Sequence, residues 1–335
     1  MHDHQRNKAF VLEYFAEMEA ASADSIGAVL RRYVSDDYRF YGVHPFNELQ
    51  GSEAVSTSVW EPFYRAWSPI QRRQDVFIAG SSEIDGDAWV MSMGHLLGLF
   101  DGDWLGIRAT RKMALLRYAE FNNVRQGRIA RTGFFCDIIG VMHQAGINPL
   151  PPQTGASFVY PGPRTHDGIV LDAQPEAEGV KTLALVNEMA RTLSELNVSG
   201  NDRCPPEVLA RTWHEDMIWY GPAAIGASYT IRRYQEQHQY PFREGLTDKV
   251  FNGHVCRFAE GNYACFFGWP NLSNTPRGGF LGLPGGTRAD MRVVDVYRRQ
   301  GDKLAENWVL IDLPYWLGQQ GLDVLERTRS ILNPS

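Results

Sequence analysis

Two aspartates stand at matching places in a sequence that repeats itself. FFCDIIGVMHQAG carries Asp137, Gln144 and Gly146, and VLIDLPYWLGQQG carries Asp312, Gln319 and Gly321; 312 − 137, 319 − 144 and 321 − 146 each give 175. Two roles fit such a residue. A carboxylate among apolar walls has its charged form disfavoured, so its pKa rises toward the range where it can take a proton and return it. Walls of that kind are at hand: Met93, Trp104, Phe134 and Phe135 in the first half, and Phe266, Trp269, Phe280 and Trp308 in the second. The same aspartates also precede short amphipathic stretches, Ile138 to Gln144 and Leu313 to Gln319, with Pro314 just inside the second and Gly146 or Gly321 beyond the end. An aspartate there caps a helix by accepting its free N–H groups. Both roles stay open on the sequence.

Other polar side chains could line the same pockets. His44, His95 and His143 are candidates in the first half, and Tyr220, His238, His254 and Trp269 in the second. Tyr41 and Tyr220 align across the repeat, and a buried phenol can donate to a developing enolate oxygen. His95 follows Gly94 in an otherwise apolar strand. No metal is expected: there is no HExxH and no Cys/His cluster with ligand spacing. GFLGLPGGT (279–287) lacks the phosphate-binding glycine patterns, and the absence of GxSxG leaves covalent hydrolysis without a candidate nucleophile. Cys136, Cys204, Cys256 and Cys265 form no CxxC pair and read as reduced packing thiols.

The repeat extends upstream. Asp36 to Gly51 answers His214 to Gly226, Pro62-Phe63 answers Pro241-Phe242, and Glu120 answers Asp295. Matching segments in matching order across half a chain mean a duplicated domain of about 150 residues. The halves are expected at 1–147 and 180–335, with a Pro/Gly-rich connector at 148–179. Connectors of that length are usually functional or disordered; Phe158, Tyr160 and Ile169 give this one apolar handles, so an ordered strap is expected, with Phe158 and Tyr160 buried. Residues 6–34 place Phe10, Val11, Tyr14, Phe15 and Met18, then Ile26, Val29, Leu30 and Tyr33, at three- and four-residue spacing, which predicts two amphipathic helices. Residues 181–198 and 205–213 do the same. A short strand pair, a further helix (about 52–66 and 228–239) and then strands of period two follow, KVFNGHVCRFAEG among them. Helices first and an antiparallel sheet afterwards is an α+β plan.

This order resembles the nuclear-transport-factor-2-like cone, and the ending of each half is similar to the SnoaL-like polyketide cyclase branch: a turn plus Gly-Lys-Ile-x-Glu-x-Trp, then Asp…Gln-x-Gly. Gly127-Arg128-Ile129-Ala130-Arg131 precedes Asp137, and Asp302-Lys303-Leu304-Ala305-Glu306-Asn307-Trp308 precedes Asp312. The second half keeps the Glu and Trp, whereas the first has Arg131 and Gly133. The resemblance implies two tandem cones, each helices wrapped in a curved antiparallel sheet, doing cofactor-independent acid/base work in the mouth of the cone. It implies Asp137 or Asp312 as the acid/base; beside them the residues themselves offer His44 and His95 as assisting groups and Tyr41, Trp104, Phe135, Tyr220, His238, Trp269 and Trp308 as binding ones. The expected reaction is an aldol-type cyclisation, retro-aldol cleavage, dehydration or isomerisation of a small aromatic or polyhydroxylated carbonyl compound. The first half is the favoured active one because it joins Asp137 to His44 and His95. A non-catalytic small-molecule binder, or one active cone beside a degenerate one, is the alternative. The superfamily hosts many functions, so substrate identity does not follow.

Composition sets the remaining expectations. A chain of 335 residues, 44% hydrophobic and 21% charged, has apolar material for two cores. The net charge of −6, without a basic run, argues against nucleic acid. No stretch approaches the roughly 20 apolar residues of a membrane span, and MHDHQRNKAFVLEYF contains no long apolar core, so a cytoplasmic protein is expected. Relatives of this fold usually pair through their sheets; fusing two copies implies an internal pseudo-dimer, with further homo-oligomerisation possible.

Overall fold

The computed structural model describes residues 3–157, 160–199 and 203–332. In chain order the first half contains α1 (His4–Ala20), α2 (Ile26–Tyr33), β1 (Val34–Gly42), β2 (Glu48–Gln50), α3 (Ser52–Val55), a π-helical turn (Ser56–Trp60), α4 (Glu61–Ala66), β3 (Trp67–Ser81), β4 (Ala88–Phe100), β5 (Met113–Arg125), β6 (Arg128–Cys136) and α5 (Ile138–Gln144). The second half repeats it: α6 (Glu176–Val198), α7 (Pro206–Leu209), β7 (Trp213–Tyr220), β8 (Ala227–Tyr229), α8 (Ile231–Tyr234), a π-helical turn (Gln235–Gln239), α9 (Tyr240–Gly245), β9 (Leu246–Phe251), β10 (Cys256–Glu260), β11 (Tyr263–Pro276), β12 (Ala289–Gln300), β13 (Lys303–Ile311) and α10 (Leu313–Gln319), with α11 (Val324–Leu332) at the end. Among the described residues no helix is long and apolar enough to cross a membrane.

The chain divides into two compact units, and the division is less simple than two halves and a connector. The first unit comprises Met1–Pro149, Thr165–Ala173 and Leu322–Ser335; the second comprises Leu150–Arg164 and Gln174–Gly321. The expected boundaries at 147, 148–179 and 180 therefore shift. Backbone hydrogen bonding explains why the strap splits. Gly155 N donates to Ile225 O (2.7 Å), and Ala156 and Ala227 form a bridge. Further on, Ile169 bridges Phe77, and Lys8 Nζ donates to Val170 O (2.8 Å). Phe158 lies outside the described residues; Tyr160 is half-buried with its ring edge against Tyr220 (centroids 6.0 Å). Helix α11 belongs to the first unit because it buries Val324, Leu325 and Thr328 there, and the Thr328 hydroxyl donates to Met142 Sδ (3.5 Å).

In the first unit, the described strands run in the order β2-β1-β6-β5-β4-β3, with β1 and β6 parallel and the other neighbours antiparallel. Helix α1 buries Val11, Tyr14, Phe15 and Met18, the apolar face its spacing predicts, and packs on β3 and β4. The second unit has the matching order β8-β7-β13-β12-β11-β10, with β9 also pairing β11 and β13 parallel to β7. Helices on one face of a bent antiparallel sheet, twice over, is the tandem α+β cone architecture expected from the sequence.

One departure bears on the site. KVFNGHVCRFAEG reads as one strand, yet the chain leaves the sheet between Phe251 and Cys256. Gly253 at φ 100° turns it, a conformation open to glycine and costly for other residues. The break holds His254 out of the strand ladder; at the corresponding place in the first unit β3 stays continuous, with an irregularity between Gln74 and Val76.

Candidate functional site

Alternation along β12 sends Val293, Asp295, Tyr297 and Arg299 to one face of the second sheet. This is the helix-facing side, because Arg299 reaches Thr182 Oγ1 (2.8 Å) and the Glu178 carboxylate on α6. The cross-strand register adds Phe266 opposite Asp295 on β11, Val309 and Asn307 on β13, and Trp219 on β7 opposite Asn307. A carboxylate thus stands in the middle of an aromatic enclosure.

Asp295 is held on one side only. Its Oδ1 accepts from Tyr297 Oη (3.0 Å) and Asn307 Nδ2 (3.1 Å), while Oδ2 takes no hydrogen bond and the group forms no ion pair among the described residues. Burial pushes the carboxyl up from its ordinary value to about 6, against the smaller downward pull of the two donors. Two imidazoles share the enclosure. His238, in the π-helical turn, lies flat on Trp219 with ring centroids 3.9 Å apart and 18° between planes, and Tyr234 is 5.5 Å away. His254 lies flat on Phe266 at 3.9 Å and 20°, and Phe266 is 5.7 Å from Tyr297. Burial, with a lesser push from Arg243 and Arg257 respectively, lowers each histidine to about 3, so both rings are neutral at any physiological pH. Each leaves its buried Nδ1 without a hydrogen-bond partner. Burial also raises the Tyr234 and Tyr297 phenols, which stay protonated as donors.

At the corresponding place in the first unit the carboxylate is paired, and an opening of about 470 Å³ lined by Leu12, Phe15, Ile70, Arg72 and Gln74 lies beside it. Glu120, the repeat partner of Asp295, is fully buried but paired with Arg72 Nη1 (2.9 Å) and receives Asn122 Nδ2 (3.0 Å). The Arg72 guanidinium fits between the rings of Phe15 (3.9 Å) and Tyr118 (4.7 Å), and Tyr118 and Ser92 share a hydrogen bond of 2.7 Å. The cavity bounded by Met18, Trp60, Phe63, Tyr64, Arg72 and Leu96 amounts to about 10 Å³, at the lower limit of what one water requires. Two differences account for the contrast. Five residues into the strand that follows the last helix, the first unit has Arg72 and the second has Phe251, which is exposed. Two residues before the central carboxylate, the first has Tyr118 and the second has the smaller Val293.

Most residues singled out from the sequence fall elsewhere; His238, His254 and Phe266 are the exceptions. Asp137 caps α5, its Oδ1 accepting from Gly140 N (2.8 Å). Asp312 caps α10 by accepting from Tyr315 N (3.2 Å), is wholly buried, and pairs with Arg292 Nη1 (3.3 Å), whose guanidinium is sandwiched between Trp269 (3.7 Å) and Tyr315 (3.5 Å). His95 is buried on the face turned away from the helices, its Nδ1 3.4 Å from Asp75 Oδ2, and Phe135 shares that face. Tyr41 points opposite to the core residue Phe40, and His44 is half-buried in the turn before β2. Tyr220 and Trp308 stack at 5.4 Å on the outer face of the second sheet, where Trp308 Nε1 donates to Pro161 O (3.0 Å). Trp104 belongs to an aromatic core cluster with Phe46, Phe63 and Trp67. Strand parity accounts for Tyr41, His95, Phe135, Tyr220 and Trp308: neighbours in sequence go to opposite faces, and aromatic side chains in apolar strands carry no label saying which face is the pocket. The legible signal for Asp295 was a carboxylate inside the apolar run VVDVY without the arginine that its repeat partner has. Among the described residues no group of three or more His, Cys, Asp or Glu is placed to hold a metal ion.

No family model matches the chain, and no curated protein matches it. Solved structures do. A candidate SnoaL-like polyketide cyclase from Jannaschia sp. CCS1 is 19% identical, over 44% of this chain and 95% of that one, with a TM-score of 0.35. A candidate polyketide cyclase from Xanthomonas campestris pv. campestris is 16% identical over 43% and 99%, with a TM-score of 0.35. AclR of Streptomyces galilaeus, a candidate hydroxylase, is 16% identical over 44% and 85%, with a TM-score of 0.36. Each spans about the length of one unit.

Proposed function

We propose that the second unit is a cofactor-independent acid/base site for a small carbonyl compound, with Asp295 as the proton-transfer group, and that in the first unit the matching carboxylate is neutralised. The observation carrying this reading is the contrast at one repeat position: Glu120 is neutralised by Arg72, whereas among the described residues Asp295 has no cation and one oxygen without a hydrogen bond, and its carboxyl is pushed up to about 6. A base with a pKa near the working pH combines an adequate ionised fraction with strong proton affinity. In the proposed step the Asp295 carboxylate removes a proton from carbon next to a carbonyl, as C–C bond making or breaking of the aldol type, or dehydration, requires. The aromatic walls favour a flat, apolar body. Asp137 and Asp312 act in this reading as helix caps, which replaces the expectation that one of them is the base and that the first half is active.

The test is exchange of the α-protons of 2-tetralone into D2O, followed by NMR. The wild-type protein should accelerate exchange over buffer, with a rate rising through pH 6 to a plateau. Asp295→Asn should abolish the acceleration, while Asp137→Asn and Asp312→Asn retain it. Wild-type exchange in Asp295→Asn would sink the assignment; a wild-type protein that binds 2-tetralone without exchanging its protons would leave a binder.

A further inference from the structure

His238 is hard to explain as a packing residue. It is 8% exposed, forms no hydrogen bond with either ring nitrogen among the described residues, and leaves Nδ1 buried without a partner. Buried polar groups are almost always paired, and an orphan in a native fold calls for a reason. The fold does not require an imidazole there. Each unit has a π-helical turn at the same place, and the fourth residue of that turn is His238 in one and Val59 in the other, the valine 2% exposed. Extra-residue turns of this kind frequently occur at functional sites, since they re-aim a side chain.

Its placement relative to Asp295 follows from the sheet. His238 stacks on Trp219 of β7, Trp219 is in register with Asn307 of β13, and Asn307 donates to Asp295 of β12. Two strand spacings separate β7 from β12, about 10 Å between backbones. Side chains from both ends project into the same enclosure, with Tyr234 between them: its ring is 5.5 Å from His238, and its phenol is affected by the Asp295 charge.

We propose that an imidazole N–H of His238 is the hydrogen-bond donor that receives the oxyanion formed when Asp295 removes the neighbouring carbon-bound proton. This rests on the assignment of Asp295 above. In the step, the carboxylate takes the proton, the C–H electron pair becomes the carbon–carbon double bond of the enolate, and the carbonyl π pair moves to oxygen. The imidazole donates to that oxygen and keeps its own proton; Asp295 then returns its proton to carbon. A neutral imidazole suits the task, because a donor already in place within a water-poor site needs no reorganisation as charge develops. Trp219 fixes the ring plane, so the N–H direction is set before the ligand arrives.

The variants are His238→Phe, which keeps a flat ring on Trp219 without a donor, and His238→Gln, which restores an N–H. Each is checked for folding by circular dichroism and measured in two ways. In calorimetric titrations the wild-type protein should bind 2-naphthol, which has the shape and oxygen of an enol, at least about tenfold more tightly than naphthalene. His238→Phe should bind both about equally, and His238→Gln should recover part of the preference. In 2-tetralone exchange, His238→Phe should lower kcat roughly a hundredfold, with the rise of rate through pH 6 unmoved and His238→Gln intermediate. The proposal is overturned if His238→Phe keeps both the 2-naphthol preference and the exchange rate, or if the wild-type protein shows no such preference. Asp295→Asn separates the two claims, since it should lose exchange while keeping the preference. If Asp295→Asn exchanges normally and only His238→Phe loses the preference, the donor stands and the base assignment falls.

Discussion

Replacing Asp295 by asparagine should make the protein more stable at neutral pH while removing its proposed chemistry. Asparagine keeps the shape and an oxygen that can accept from Tyr297 and Asn307, but it has no charge to desolvate. The carboxyl is displaced from 3.8 to about 6. At about 1.4 kcal/mol per unit, that displacement corresponds to roughly 3 kcal/mol. Because the folded value lies above the unfolded one, folding favours the protonated form. The wild type is therefore least handicapped below pH 3.8 and loses stability as pH rises through 6. Asp295→Asn should then match the wild type near pH 4 and exceed it by about 3 kcal/mol at pH 8, in urea unfolding followed by tryptophan fluorescence. A gain of equal size at both pH values would mean that something other than the charge is responsible. A loss at pH 8 would refute the reasoning outright, since it would show the carboxylate to be stabilised by its surroundings.

Arg72→Met should cost about 3–5 kcal/mol in the same assay, because it leaves Glu120 buried and unpaired; adding Glu120→Gln should recover most of that loss. Asp137→Ala should cost about 1 kcal/mol and Asp137→Asn only a few tenths, as expected of a helix cap, with neither affecting 2-tetralone exchange. Asp312→Asn should destabilise more than Asp137→Asn, because it keeps the cap but removes the charge facing Arg292.

The duplication and the cone were legible because both depend on patterns that survive without three-dimensional information. The constant spacing of Asp137 and Asp312, and the three-then-four spacing of Val11, Tyr14, Phe15 and Met18, are properties of the chain alone. The boundaries were less so. The split of the strap, and the return of α11 to the first unit, depend on which backbone groups find partners at Ile225, Ala227 and Phe77, and no local pattern encodes that. The site was least legible. A strand's two faces differ by one residue, so His95 and Phe135 went to the outer face while Ser92 and Phe134 went inward. The repeated aspartate invites a catalytic reading because it recurs, and in the structure both copies cap a helix. The informative position was the one where the repeats disagree: Glu120 with Arg72, against Asp295 with Phe251. Like residues stand there among unlike partners, and His238 in place of Val59 is a second such difference.

The central claim is that the second unit tunes Asp295 for proton transfer. The most direct measurement is a pH titration of the Asp295 side-chain carboxyl carbon in the intact chain, labelled with 13C-aspartate and assigned by its disappearance in Asp295→Asn. A midpoint near 6 is predicted. A midpoint in the ordinary aspartate range near 3.9 would contradict the claim, because a carboxylate of that basicity would be no better placed for the chemistry than any solvated one.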